Sequence, residues 1–138
     1  MSVVIEEVEV RADGRGFVFE AGVHGDLAFA EKLHVVVNES GAVRGDHFHR
    51  HTDEVLIVAG PSFVRLREEG AVRDVQIPEG RILRFRIPSG VSHAVRNTGT
   101  HRGVLLVFQT GSRDAAGVDV LPDLLLGPAD APAEPISP

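Results

Sequence analysis

The feature that most limits the fold of this chain is its hydrophobic period, which is two residues over most of the sequence. Short runs rich in Val, Ile, Leu and Phe are separated by turns that contain Gly and Pro. A period of two indicates strands whose two faces meet different surroundings. The predicted strands are Val3–Val10, Leu33–Val37, Glu54–Ala59, Ser62–Arg67, Val72–Ile77, Ile82–Ile87 and Val104–Phe108. Many short strands at this spacing predict an all-β sandwich or barrel.

The length of 138 residues fits a single domain. We expect residues 1–126 to form one barrel, with a short helical piece near Pro122–Leu126 as its only helix. Residues 127–138 hold four of the eight prolines and no apolar periodicity. This composition predicts a disordered tail.

Composition excludes several classes of function. The absence of cysteine excludes disulfide scaffolds, zinc ribbons and thiol nucleophiles. A net charge of −6 argues against a nucleic-acid partner, which would require clustered Lys and Arg. The sequence contains neither a signal-peptide pattern nor the run of about 20 apolar residues that a membrane span needs. We therefore expect a cytoplasmic protein that binds a small-molecule substrate and neither nucleic acid nor a membrane.

A cluster of potential metal ligands lies in the middle of the chain. His47 and His49 are one residue apart, so both imidazoles project from the same face of a strand. Glu54 follows after a polar turn and opens the next strand, and His93 stands at the start of a later one. Three imidazoles and a carboxylate suit one divalent transition metal ion: Fe, Mn, Ni, Co, Cu or Zn. Four protein ligands leave two positions open on an octahedral ion.

Other polar residues near this cluster are candidates for catalysis and substrate binding. His51 and Asp53 lie in the turn between His49 and Glu54, where they belong either to a solvated loop or to a proton-transfer site. Glu54 is also a candidate catalytic residue, because it could leave the ion during turnover. Arg44, Arg65 and Arg84 are candidate substrate-binding residues, since a guanidinium group binds phosphate or carboxylate at two points. Gln109, which follows the strand Val104–Phe108, is a further candidate for contact with the substrate. Alternation does not say which arginines face the interior.

Two segments resemble the motifs of the cupin family. Gly, His-x-His, Glu and Gly of the first cupin motif correspond to Gly45, His47, His49, Glu54 and Gly60. Pro, Gly, His and Asn of the second correspond to Pro88, Gly90, His93 and Asn97. The resemblance implies a double-stranded β-helix, or jelly-roll, barrel in which His47, His49, Glu54 and His93 are the metal ligands.

Within the cupins, the segment around Arg44 and Gly45 is similar to the deoxysugar 3,4-ketoisomerases and dehydrorhamnose 3,5-epimerases. That likeness implies a sugar-like or keto substrate. Those enzymes generally act without a metal and use a Tyr, whereas this chain has no Tyr and keeps Glu54. Three functions remain open: a metal-dependent isomerase or epimerase, a non-haem Fe(II) oxygenase, and a non-catalytic metal- or ligand-binding protein. Cupins commonly form homodimers through edge strands, and Met1–Val10 is the candidate strand here.

Overall fold

The structure is a computed structural model that describes residues 2–22, 24–110 and 118–127. These residues form twelve strands and one short helix. In chain order the elements are β1 (Val4–Glu7), β2 (Val10–Asp13), β3 (Gly16–Phe19), α1 (His24–Phe29), β4 (Lys32–Asn38), β5 (Val43–His49), β6 (Glu54–Ala59), β7 (Ser62–Glu68), β8 (Ala71–Ile77), β9 (Ile82–Ile87), β10 (Ser92–Asn97), β11 (Gly103–Gln109) and β12 (Val120–Pro122).

Ten of these strands form two five-stranded antiparallel sheets. The first sheet has the order β1-β9-β6-β11-β4, and the second has the order β12-β5-β10-β7-β8. The hairpin β2–β3 is a separate two-stranded sheet. Strands that are neighbours in a sheet are mostly distant in sequence, as in β5 with β10 and β6 with β11. This arrangement of crossovers is that of a jelly roll.

The main hydrophobic core lies between the two large sheets. It contains fully buried side chains from both sheets, among them Val58 and Phe85 from the first and Val64 and Leu66 from the second. A second cluster lies on the outer face of the first sheet, where Phe19 and Phe29 cover Phe108. On the outer face of the second sheet, Leu125 and Leu126 of the C-terminal segment pack against Ala94.

Two predicted elements differ in the structure. The predicted strand Val3–Val10 is divided into β1 and β2, and β1 pairs with β9 of its own chain. The predicted helix near Pro122–Leu126 is wrong, because β12 ends at Pro122 and an irregular segment follows it. The Asp46 carboxylate accepts hydrogen bonds from the backbone N–H groups of Leu125, Leu126 and Gly127, which holds this segment against the sheet.

The helix that does form is α1, which begins five residues after the end of β3 and contacts the outer face of the first sheet. In the described part of the chain, no helix has the length and apolar character that crossing a membrane requires. Of the predicted tail, residues 128–138 lie outside the described residues, so the tail stays a prediction.

Candidate functional site

Three strands bring the predicted ligand residues together. His47 and His49 project from the same face of β5, as the period of a strand requires. Strand β10 pairs with β5 in antiparallel register, and this register places His93 opposite His47. Glu54 is the first residue of β6 in the facing sheet. The four side chains therefore converge between the two sheets.

The four side chains are close enough to hold one metal ion. One ligand atom from each of His47, His49, Glu54 and His93 lies within 4.8 Å of the others. Glu54 Oε1 is 3.0 Å from His49 Nε2 and 3.1 Å from His93 Nε2. His49, Glu54 and His93 are buried, whereas His47 is half-buried at the open side of the group.

Neighbouring polar groups fix the orientation of these side chains. His49 Nδ1 is 2.7 Å from Asp119 Oδ2, and His93 Nδ1 is 3.1 Å from the backbone oxygen of Val91. Gln109 Nε2 donates a hydrogen bond of 2.9 Å to Glu54 Oε2. Because Asp119 and the Val91 carbonyl accept hydrogen bonds, both Nδ1 atoms carry hydrogen and both Nε2 atoms point toward Glu54.

The site combines strong burial with strong charge coupling. Burial opposes ionisation of Glu54, but the His49 and His93 imidazoles outweigh burial and hold its pKa well below the usual range. Burial likewise opposes the charged form of His49, but the Glu54 and Asp119 carboxylates raise its pKa. For His47, burial and the neighbouring imidazoles together lower the pKa.

Asp119 shows the same balance at the edge of the site. Burial opposes its ionisation, but contacts with His49, the His51 backbone N–H and the Thr52 hydroxyl lower its pKa to about 2. Its Oδ1 accepts from the His51 N–H at 2.8 Å, and its Oδ2 accepts from the Thr52 hydroxyl at 2.8 Å. The Asp119 carboxylate is therefore ionised, and its position is fixed by contacts with the His51 N–H, the Thr52 hydroxyl and the His49 ring.

The four residues lie in a cavity of about 690 Å³. Besides the four, its wall carries the polar side chains of Lys32, His34, Arg44, Thr52, Gln109, Thr110 and Asp119. The rest of the wall is largely aliphatic, with Val36, Leu56, Val95, Leu105 and Val107. A cavity with a few convergent polar groups and an apolar wall is typical of a small-molecule site.

The other predicted site residues divide into two groups. Arg44 and Gln109 line the cavity, and the Arg44 guanidinium also donates to the Val37 carbonyl at 3.1 Å. Arg65 lies outside the cavity, where it forms two hydrogen bonds to Asp74. Arg84 also lies outside it, beside Asp26 and the backbone oxygens of Glu20 and Ala21 on the outer face of the first sheet.

The two predicted proton-transfer residues of the turn do not line the cavity. His51 is exposed, and its backbone N–H is held by Asp119. The Asp53 carboxylate accepts from the backbone N–H of Ser89 at 2.7 Å. Glu54, the third candidate catalytic residue, lies at the centre of the site.

Sequence reasoning missed five polar residues at the site: Lys32, His34, Thr52, Thr110 and Asp119. Lys32 and His34 carry a usable signal, because they are two residues apart on a strand and therefore share a face. Asp119 has no such signal. It arrives through β12, which pairs with β5 so that Val120 lies opposite His49.

Solved structures confirm the predicted fold class, an all-β jelly-roll cupin barrel. A 3,4-ketoisomerase from Helicobacter canadensis matches with a TM-score of 0.66 and 19% identity, over 89% of this chain and 92% of that one. The Mycobacterium tuberculosis rmlC epimerase matches with a TM-score of 0.63 and 17% identity, over 80% of this chain.

A third structure is ChmJ, a 3'-monoepimerase from Streptomyces bikiniensis in complex with dTDP-quinovose, with a TM-score of 0.65, 19% identity and 81% of this chain covered. The chain spans 64% of the length of the rmlC epimerase and 66% of the length of ChmJ.

Sequence comparison gives the family. No curated protein shows significant similarity to the chain. A family model described as the polysaccharide biosynthesis C-terminal domain matches residues 11–120, which is most of the chain and includes every residue of the four-residue cluster. The chain therefore belongs to the polysaccharide biosynthesis C-terminal domain family.

Proposed function

We propose that this chain is a metal-dependent isomerase or epimerase that acts on a keto sugar linked to a nucleotide. Two parts of the proposal are independent of each other: the metal ion, which rests on the four-residue cluster, and the substrate, which rests on the family and on the polar residues of the cavity.

The observation that carries the metal proposal is the environment of Glu54 Oε1. This oxygen is buried and makes no hydrogen bond, yet the Nε2 atoms of His49 and His93 face it at 3.0 and 3.1 Å. When both rings are neutral, with hydrogen on Nδ1, each presents a lone pair to the ionised Glu54 carboxylate. Three acceptors in contact repel one another unless a proton or a metal cation lies among them. A divalent ion would satisfy all three atoms together with His47.

The residues that would hold the ion are His47, His49, Glu54 and His93. A bound divalent ion would supply Lewis acidity toward a carbonyl or hydroxyl oxygen of the substrate. Gln109 would keep Glu54 in place through its hydrogen bond to Oε2, and Asp119 would keep the His49 ring oriented.

The substrate proposal draws on charge and on the relatives. Lys32 and Arg44 are the cationic side chains of the cavity wall, and a diphosphate is an anion that such a pair binds. The similar structures include epimerases and a 3,4-ketoisomerase, and the ChmJ structure is a complex with dTDP-quinovose. Isomerisation of a keto sugar needs one group that removes a proton beside the carbonyl and returns it. His34 is the imidazole of the cavity wall outside the cluster and would move this proton.

The apolar part of the cavity favours a second candidate, a non-haem Fe(II) oxygenase. The aliphatic side chains of Val36, Leu56, Val95, Leu105 and Val107 offer little to a sugar hydroxyl. They would suit a less polar substrate, and a 3-His-1-Glu set also binds Fe(II). The third candidate, a non-catalytic binding protein, predicts a metal without turnover.

The deciding experiment measures metal content and two reactions in the same preparation. Protein purified without chelators is analysed for its metals, then incubated in D₂O with a TDP-linked 4-keto-6-deoxy sugar while oxygen is recorded. Deuterium entering the sugar beside the carbonyl, without oxygen uptake, supports the isomerase or epimerase. Oxygen uptake with iron bound contradicts it and supports the oxygenase.

Two variants separate the parts of the proposal. His49→Ala is expected to lose both the metal and deuterium exchange, whereas His34→Ala is expected to keep the metal and lose exchange. Asp74→Ala, on the outer surface beside Arg65, is the control and should change neither. Full metal occupancy in the His49→Ala protein would contradict the ligand assignment.

A further inference from the structure

Strand β5 directs side chains of both parities into the cavity, which a regular strand does not do. Successive side chains of a strand point to opposite faces, so residues at an odd separation lie on different faces. Arg44 lines the cavity, and so do His47 and His49, which stand at odd separations from it. The alternation of β5 therefore reverses between Arg44 and His47.

The reversal occurs at a β-bulge. In the register of β5 with β10, His47 lies opposite His93, and Gly45 lies opposite Ala94, the next residue of β10. Asp46 is thus an extra residue on β5. One extra residue on one strand of an antiparallel pair makes a bulge, and bulges are common next to active sites, where they redirect a side chain.

Each side of the bulge is held by its own pairing with β10. Before the bulge, Arg44 lies opposite Val95, whose side chain belongs to the core between the sheets. After the bulge, His47 lies opposite His93. Loss of the bulge would shift one side of β5 by one position and turn its side chains to the other face. The bulge therefore lets a single strand direct a cation and two of the proposed metal ligands into one cavity.

The bulge requires an unusual backbone conformation at Asp46. Its φ is 55°, in the left-handed region, and the φ of Gly45 is 97°. Glycine adopts such values freely, and aspartate and asparagine tolerate them better than other residues do. A β-branched residue in place of Asp46 would be strongly disfavoured.

The C-terminal segment holds Asp46 in this conformation. Asp46 Oδ1 accepts hydrogen bonds from the backbone N–H groups of Leu125 and Leu126 at 3.0 and 2.9 Å, and Oδ2 accepts from that of Gly127 at 2.9 Å. The backbone oxygen of Asp46 accepts from the N–H of Asp123 at 2.8 Å. These hydrogen bonds fix both the side chain and the backbone of the residue that precedes His47.

We propose that Asp46 is a positioning residue of the site: it maintains the bulge that directs Arg44 and the two histidines of β5 into the same cavity. The inference rests on the proposed function, in which the histidines hold the metal ion and Arg44 binds the diphosphate of the substrate. Asp46 does not line the cavity. It therefore acts through the backbone of β5 and not through contact with a ligand.

The test compares three substitutions with two probes. Asp46→Gly and Asp46→Asn accept a left-handed backbone, whereas Asp46→Val does not. Binding of Co(II) is measured by competition with a chromophoric chelator, and binding of inorganic diphosphate to the metal-free protein by calorimetry. We expect Asp46→Val to lose roughly 10-fold or more in affinity for one of the two probes, because one side of β5 turns outward. Asp46→Gly and Asp46→Asn should stay close to the wild type.

The glycine variant separates the bulge from the carboxylate. If the Asp46→Gly protein loses as much affinity as the Asp46→Val protein, the carboxylate and not the bulge positions the site, and the proposal is wrong. Asp46→Ala is a milder change of the same kind as Asp46→Val and replaces it if that protein does not fold.

Glu69→Val is the matched control. Glu69 is the second non-glycine residue of the described chain with a positive φ, at 51°, and it is exposed in the turn between β7 and β8. Its replacement introduces a similar backbone strain away from the site, so it should lower Tm without changing either affinity. A loss of affinity in the Glu69→Val protein equal to that in the Asp46→Val protein would mean that general destabilisation accounts for the effect, and would contradict the proposal.

NMR of the metal-free protein tests the register without any ligand. The ring centroids of His47 and His93 are 5.0 Å apart, so NOEs between their ring protons are expected in the wild type and in the Asp46→Gly protein. In the Asp46→Val protein, either these NOEs or those between Arg44 and Val95 are expected to disappear.

The two measurements separate this inference from the proposed function. A wild type that shows the ring NOEs but binds neither probe contradicts the proposed function, while the NOEs of the variants still decide the role of Asp46. Retention of all these NOEs and of both affinities in the Asp46→Val protein would overturn the inference.

Discussion

Asp119 holds His49 from the side opposite Glu54: its Oδ2 lies 2.7 Å from Nδ1 of His49, while Nε2 of the same ring lies 3.0 Å from Glu54 Oε1. One imidazole thus links two carboxylates that are far apart in sequence. In the neutral ring, the contact fixes which nitrogen of His49 carries hydrogen, and it leaves the other nitrogen as a lone pair directed into the site.

Removal of Asp119 is therefore expected to weaken metal binding without unfolding the protein. For Asp119→Ala we expect the affinity for Zn(II) or Co(II) to fall by roughly 10- to 100-fold, the usual effect of losing a carboxylate that orients a ligand histidine. Competition with a chromophoric chelator measures this affinity. Asp123→Ala is the control, since this carboxylate lies in the same segment but contacts Ser92 and Arg67. Equal affinities for the Asp119→Ala protein and the wild type would contradict the proposed role.

The Glu54–His49 pair also predicts how the metal-free protein responds to pH. The pKa of Glu54 is lowered from 4.5, so its contribution to the stability of the folded protein is present above pH 4.5 and is lost as the pH falls toward the lowered value. The pKa of His49 is raised from 6.5, so its contribution to stability is present below pH 6.5 and is lost as the pH rises through the raised value. Both contributions coexist between pH 4.5 and pH 6.5.

Thermal unfolding from pH 4 to pH 9 measures this effect. The difference in Tm between the metal-free wild type and Glu54→Gln is expected to be largest between pH 4.5 and 6.5 and to shrink on either side. With metal bound, the Tm difference is instead expected to grow as the pH rises above neutral. Protons compete with the ion for the imidazoles, so the bound ion stabilises the folded protein more at higher pH. A Tm difference that is independent of pH in the metal-free protein would show that the pair is not charged as described.

The resemblance to the two cupin motifs was enough to predict that His47, His49, Glu54 and His93 converge. Residues two apart share a face of a strand, and the two cupin motifs place β5, β6 and β10 together. The arginines show the limit of this reasoning. Alternation along β7 and β9 separates Arg65 and Arg84 from the core residues but does not say whether they face the cavity or the outer surface.

The position of Asp119 depends on a pairing that local sequence does not encode. Strand β12 has three residues and reaches β5 from a point 70 residues later in the chain. The predicted helix near Pro122–Leu126 failed for a related reason. The backbone N–H groups there are bonded to Asp46, which lies about 80 residues earlier, so a tertiary contact decides the local conformation.

Gly45 is expected to be intolerant of any side chain. Its φ is 97°, a value that favours glycine, and a Cβ atom there would lie 2.5 Å from the backbone oxygen of His93. Strand β10 must approach β5 this closely to set His93 opposite His47. For Gly45→Ala we expect a loss of about 1–3 kcal/mol in the free energy of unfolding, measured with urea.

The control for this substitution is Gly14→Ala. No atom lies within 4 Å of a Cβ added at Gly14, which stands in the turn between β2 and β3. We expect its effect to stay within about 0.5 kcal/mol, the range of ordinary surface substitutions. Equal stability of the Gly45→Ala protein and the wild type would mean that β5 and β10 are further apart than the structure has them.

Asp26 is expected to be the most important single charge for stability. Its side chain is 2% exposed, forms an ion pair with Arg86, and lies 4.0 Å from the guanidinium of buried Arg84. Asp26→Ala would leave Arg84 buried without this carboxylate, and breaking a buried pair typically costs about 3 kcal/mol or more. Urea unfolding measures the loss, with Glu7→Ala as the control. Glu7 pairs with Arg81 in solvent, so its removal should have little effect. If both variants unfold at the wild-type urea concentration, α1 does not depend on Asp26 to hold it against the sheet.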